Sequence, residues 1–144
     1  MSTPLLNSAQ VLALTQTFRP AYGRLKLHVV EDWLKTQPRH RVIAMPREAI
    51  GGLLAVYLMH RTTEVWCIGE SVFWPLQLGR SYARPLPTWA AYYTSLEDRY
   101  AGPLTVGDAL TLEERTQLHM IGVRERVDAE VLGEEEDEAD DNDR

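Results

Sequence analysis

Residues 134–144 read EEEDEADDNDR and carry eight carboxylates against one arginine. A run of like charge this dense repels itself and has no apolar surface to bury. It is expected to form a disordered, solvated acidic tail. A single globular domain must therefore be built from residues 1–133. Without the tail the chain holds 13 acidic and 14 basic residues, so the net charge of −6 belongs to the tail and not to the body.

A body of this length fits one domain, and an apolar content of 44% is enough for one core. Cys67 is the sole cysteine, which excludes an internal disulfide and any multi-cysteine metal site. The first ten residues lack a basic segment followed by an apolar one, so they do not read as a secretory signal. The longest apolar run, residues 49–59, is 11 residues and too short to span a bilayer. The expectation is a soluble cytoplasmic protein with no membrane contact. Charge is unevenly spread. Residues 1–96 hold ten basic and five acidic groups, and residues 97–133 hold four and eight. That pattern describes a molecule with a basic front and an acidic rear, although uneven sampling of an ordinary charged surface gives the same counts.

The pattern predicts an α+β fold, a small and mostly antiparallel sheet packed with about four to five helices. Ser8 is placed to cap a first helix over residues 9–18, with Val11, Leu12, Leu14 and Phe18 on its apolar stripe and Pro20 as its stop. Residues 26–36 alternate like a strand at their start, but Leu27, Val30 and Leu34 fit a helix better. Residues 41–45 are β-prone. Pro46 then suits the first turn of a helix over 46–59 with Ile50, Leu53, Leu54, Tyr57 and Leu58 on one broad apolar face. Gly51 and Gly52 would weaken that helix, so close packing of another backbone is their expected purpose. Two strands, 63–68 and 72–78, flank a turn at Gly69-Glu70-Ser71, and Pro75 marks the second as an edge or a broken strand. Residues 79–87 read as a loop and 88–100 as an aromatic helix. Thr105 with Asp108 caps a short turn. Thr111 with Glu114 forms a capping box for a last helix over 112–132, whose stripe is Met120, Val123, Val127 and Val131.

No motif for catalysis stands out. The strand, helix and hairpin over 41–78 resemble a winged helix at first sight, but too few residues remain for its two central helices. His28 and Asp32 share a helix face without a third ligand, so no metal site is expected. Adjacent carboxylates such as Glu31 and Asp32, or Glu113 and Glu114, diverge by about 100° on a helix and make no acid–base couple. Ser71 follows half of a nucleophile-elbow pattern, with Phe73 where glycine is needed. Cys67 reads as an inert packing residue.

Two basic clusters remain as candidate contacts. Arg39 and Arg41, with Arg47 nearby, suit a phosphate or a carboxylate. Arg80, Tyr82 and Arg84 interleave charge with a ring, as single-strand binders do, although ordinary surface arginines are the commoner explanation. The acidic positions Glu134, Glu135, Glu136, Asp137 and Glu138 offer a flexible mimic of phosphate. The expected function is that of a small non-enzymatic regulatory or adaptor protein without a cofactor. Its partner would be a larger protein that handles nucleic acid, for example an RNA polymerase. A direct DNA- or RNA-binding protein is one alternative. A small enzyme built from scattered residues such as His28, His60 and Glu64 is the other.

Overall fold

The structure is a computed structural model. It describes residues 7–48 and 50–143, and side chains as far as residue 129 except residue 128. The expected tail lies outside the residues whose side chains are described. The order of elements is α1 (Ser8–Arg24), α2 (Leu27–Lys35), β1 (Val42–Ala44), α3 (Leu53–Thr62), β2 (Trp66–Ile68), β3 (Val72–Pro75), a 3₁₀ turn (Arg80–Tyr82), β4 (Arg84–Pro85), α4 (Thr88–Asp98), β5 (Leu104–Thr105) and α5 (Val106–Asp143). The fold class is α+β, as the sequence predicts. The strands form two antiparallel sheets, β1–β5 and β2–β3–β4. No helix among the described residues is long and apolar enough to cross a membrane.

α1 is longer than its sequence signals predict. Its cap is Asn7, whose side chain accepts the Gln10 N–H at 2.8 Å, while the Gln10 side chain accepts the Asn7 N–H at 2.9 Å. This reciprocal box replaces the expected Ser8 cap. Pro20 does not stop the helix. Pro20 and Gln16 are both exposed, so the carbonyl deprived of its partner faces water. One further turn then buries Ala21 and half-buries Tyr22. α2 bears out the helical reading of residues 26–36, with Val30, Trp33 and Leu34 buried.

The expected helix over 46–59 begins late, at Leu53. Arg47 has φ 73°, which helix interiors exclude. The Met45 N–H donates to Gly51 O, and Gly51 and Gly52 both donate to Glu48 O, so this stretch is a folded turn. Gly52 is the N-cap and has no side chain to accept from the helix. Glu97 of α4 does so instead, taking the Leu53 N–H at 2.9 Å. A Cβ at Gly52 would lie 2.9 Å from Glu97 Oε2. The close approach that requires this glycine is a carboxylate, not a second backbone.

β3 is the central strand of its sheet and not an edge, but it stops at Pro75, as the alternative of a broken strand expects. Pro75 is tolerated because it pairs with Trp66 at the strand's end, beyond the Val72 and Phe73 positions that β4 reaches. Residues 79–87, expected as a loop, supply the 3₁₀ turn and β4. The Thr105–Asp108 box opens α5 itself: Asp108 N donates to Thr105 Oγ1 and Thr105 N to Asp108 Oδ2. α5 is thus one helix from Val106. Thr111, expected as its cap, donates within the helix to Gly107 O. The buried stripe is Val106, Ala109, Leu112, Glu113 and Thr116. Met120 and Val123 of the expected stripe are half-buried, Val127 is exposed, and Val131 lies outside the described side chains.

One core joins these elements. At one end, Phe18 packs edge-on against Trp66 and Phe73, each with ring centroids 5.4 Å away. At the other, α5 lies against α2 and α4. As expected, Leu54, Leu58 and Trp66 are buried together, with Ile68 packed against them.

Candidate interaction surface

The chain leaving β3 makes a tight turn because Pro75 O accepts from both Leu78 N and Gly79 N. Gly79, at φ 84°, reverses the chain into the 3₁₀ turn. Leu76 and Leu78 are left exposed. A groove of about 180 Å³ lies between this turn and α1, lined by Gln10, Ala13, Leu14, Thr17, Leu78 and Tyr82. The four α1 residues are three or four apart and so share one helical face.

The triplet Arg80, Tyr82 and Arg84 is split by the local backbone. The Arg84 guanidinium lies 4.7 Å from the Phe18 ring centroid, half-buried and turned toward the core. Arg84 also faces Tyr22, whose hydroxyl donates to Pro85 O at 2.6 Å. Burial raises the Tyr22 pKa, and the Arg84 charge opposes that rise. Arg80 lies 5.3 Å from the centroid of Trp74, the neighbour of Phe73 on β3. Successive strand residues point to opposite faces, so the two arginines sit on opposite faces of the sheet. Tyr82 lies between them and walls the groove.

The other basic candidates lie elsewhere. Arg39 and Arg41 hold the start of α5 through their carbonyls, which accept from Gly107 N and Val106 N. The Arg41 side chain donates to Gln37 Oε1 at 3.1 Å. Arg39 lines a shallow cavity with Glu31, Lys35 and Glu114. Arg47 donates to Asp98 O at the end of α4. The structure therefore gives these arginines three separate settings. Glu134, Glu135, Glu136, Asp137 and Glu138 lie outside the described side chains. Of the scattered residues, His60 sits 5.7 Å from the Trp33 ring in a cleft with Asp32 and Arg61. His28 is exposed and Glu64 half-buried, and neither lines that cleft. Among the described residues no group of three or more His, Cys, Asp or Glu side chains is placed to hold a metal. Burial raises the Cys67 pKa, in keeping with an inert thiol.

The aromatic helix α4 is mostly core. Trp89 and Tyr93 are buried, and the Trp89 Nε1–H donates to Leu25 O at 3.1 Å. Tyr92 is half-buried and stacks flat on His119 at 3.7 Å.

The strongest polar feature was not anticipated. Glu97 and Glu113, on α4 and α5, are 4% and 0% exposed. Neither Glu113 oxygen has a hydrogen-bond partner, nor has the buried Tyr93 hydroxyl or Trp33 Nε1. Burial drives the Glu113 pKa up to about 9, with the Glu31 and Glu97 charges adding to the rise. Burial likewise raises Glu97 to about 7, against the lowering effect of the Leu53 N–H and with Asp98 adding to the rise. Tyr93 is raised well above the ordinary phenol value by burial, then by Glu97 and Glu113. Comparing Glu113 with its neighbour Glu114 concealed this pair, because the partner acid is on another helix. The available signal was phase: Glu113 is four residues from Ala109 and three from Thr116, on the buried stripe.

No protein-family model matches the chain, no curated protein matches it, and no solved structure matches its fold.

Proposed function

We propose that this chain is a non-catalytic adaptor that binds a larger, nucleic-acid-handling protein through the α1–Tyr82 face, with the acidic tail as a second, electrostatic contact. The observation that carries this reading is the groove between α1 and the 76–82 turn, walled by Leu78 and Tyr82 and with exposed Leu76 beside it. An apolar depression walled by a tyrosine offers the kind of anchor point that protein interfaces use. A non-catalytic role accords with the placement of the most perturbed carboxyl. Glu113 is sealed from solvent and out of reach of a substrate. The tail's eight carboxylates serve to speed encounter with a basic surface such as the channel of a nucleic-acid enzyme.

The test is capture from the native host's lysate on immobilised full-length chain, on Leu78→Glu and on a form ending at Gly133. The expected result is a nucleic-acid-handling protein retained by the wild type and lost with Leu78→Glu. The shortened form should retain it with slower association and a flatter salt dependence. If no protein is retained and the chain alone binds single-stranded DNA or RNA tightly, the adaptor reading gives way to direct nucleic-acid binding.

A further inference from the structure

The buried stripe of α5 carries one group that none of its neighbours satisfies. Glu113 is 0% exposed where α5 packs against α2 and α4, and both its oxygens lack a hydrogen-bond partner. The groups that face it come from three helices and are all acids or phenols. α2 supplies Glu31, α3 supplies Tyr57, and α4 supplies Tyr93 and Glu97. Cations on these helices are engaged elsewhere. Lys35 pairs with Glu31 at 3.0 Å, and Arg61 meets the Tyr57 hydroxyl. Among the described residues no cation is placed to pair with Glu113. Glu97 differs, because the Leu53 N–H gives its charge a partner at 2.9 Å. The start of α5 is fastened by backbone: Val106 N and Gly107 N donate to Arg41 O and Arg39 O, and β5 pairs with β1. Beyond that tether the helix is held by burial of Ala109, Leu112 and Thr116 and by the stacking of His119 on Tyr92. The Thr111 and Thr116 hydroxyls bond inside the helix, to Gly107 O and Leu112 O.

We infer that α5 is a proton-controlled latch: loss of the Glu113 proton releases the helix from α2 and α4, hinged at its backbone tether, while the sheet end of the core stays folded. An ionised carboxylate buried without a partner is among the costliest arrangements in a folded chain, and release carries it into water. Phe18, Trp66 and Phe73 pack on one another at the far end and keep their contacts when α5 leaves. The direction of the response follows from burial. The Glu113 pKa stands at about 9 in the docked helix against an ordinary 4.5, so docking is fullest below 4.5 and is lost as pH rises toward 9. Each pH unit in that interval shifts the ratio of docked to released helix about tenfold. The latch operates whether or not the α1 face binds a partner.

Amide hydrogen exchange of the full chain tests the latch, read residue by residue by NMR and divided by the rate of an unfolded peptide at the same pH. The comparison is made at pH 7 and pH 8, above the value of about 7 at which Glu97 titrates. The amides of residues 110–117 on α5 should be less protected than those of Cys67 and Trp74, which face each other across β2 and β3. Over that pH unit they should lose about tenfold in protection. In Glu113→Gln, which keeps the shape and cannot ionise, the loss should vanish. In Glu114→Gln, at the exposed neighbouring position, it should persist. The comparison of α5 with the sheet is made on the wild type and needs no variant to fold. Protection of the α5 amides equal to that of Cys67 and Trp74 at pH 8 would show that α5 leaves only when the whole fold opens, and would overturn the latch. A tenfold loss that survives in Glu113→Gln would overturn it too, by removing Glu113 as the trigger.

Discussion

The two ends of the core are buried to the same degree and built on opposite terms. Under the three-stranded sheet, Phe18, Trp66 and Phe73 are sealed, and their polar need is met: Trp66 Nε1 donates to Thr62 Oγ1 at 2.9 Å. Phe73 meets Phe18 and Tyr22 nearly at right angles, the arrangement that aromatic quadrupoles favour. Between α4 and α5, the same depth of burial encloses two carboxyls, and Glu113 and Tyr93 are left with polar atoms unpartnered. Burial alone is therefore no measure of what an interior contributes. One end gains from exclusion of water at any pH. The other is favourable only while its acids hold their protons.

Variants at the two ends should make the contrast measurable. The largest effect belongs to the ring cluster. Phe73→Ala should cost about 3–5 kcal/mol, nearly constant with pH, as removal of a packed ring does. Denaturant melts at pH 5 and pH 8 check this, and a cost that changes strongly between them would erase the distinction. Next comes Glu113→Gln. An acid whose folded pKa of about 9 exceeds its unfolded value of 4.5 holds a proton in the fold that the unfolded chain releases. Stability from this group is full below the unfolded value and falls as pH rises toward the folded one, at about 1.4 kcal/mol per pH unit. Glu113→Gln should thus match the wild type near pH 4.5 and exceed it increasingly by pH 8. Glu97, raised to about 7, adds its own fall only up to that pH, so the wild-type slope should ease above neutrality. A Glu113→Gln profile parallel to the wild type would sink this account.

The smallest effect separates the two arginines of the candidate face. Arg84→Ala should lose about 1–2 kcal/mol, because its guanidinium covers a buried ring and its stem packs there. Arg80→Ala, at an exposed pair, should change stability by no more than about 0.5 kcal/mol. Thermal melts decide it. Equal losses would show that the sheet's two faces are not distinguished as described.

Much of the fold was legible because period and composition dictate it locally. Leu27, Val30 and Leu34 specify α2 whatever surrounds them, and the hairpin around Gly69 follows from two apolar runs and a turn. The misreadings share one cause, a local signal that the surrounding structure overrides. Pro20 reads as a stop until Gln16 is seen to face water. Pro46 reads as a helix start until Arg47 takes a left-handed conformation and Gly51 and Gly52 turn back onto Glu48 O. Pro75 reads as an edge marker until the length of β4 is known. For the candidate site, the sequence located Arg80, Tyr82 and Arg84 but not their split across the sheet, which depends on Trp74 and Phe18. Ala13 and Leu78 carried no signal, since a groove is a relation between elements. The buried acids were concealed for the same reason, each being an ordinary glutamate in its own helix.

The borrowed cap on α3 has a consequence for how the chain is made. Its acceptor, Glu97, lies 44 residues beyond the Leu53 N–H it satisfies. A ribosome adding 5–20 residues per second needs roughly 2–9 s to synthesise that interval. Through that time the start of α3 has only a bare glycine before it. The apolar face of Leu53, Leu54, Tyr57 and Leu58 is complete in sequence but its helix is not yet secured. The nascent chain has every reason to remain uncommitted until α4 emerges, and the first 96 residues should behave as a fluctuating intermediate rather than as a smaller version of the finished protein.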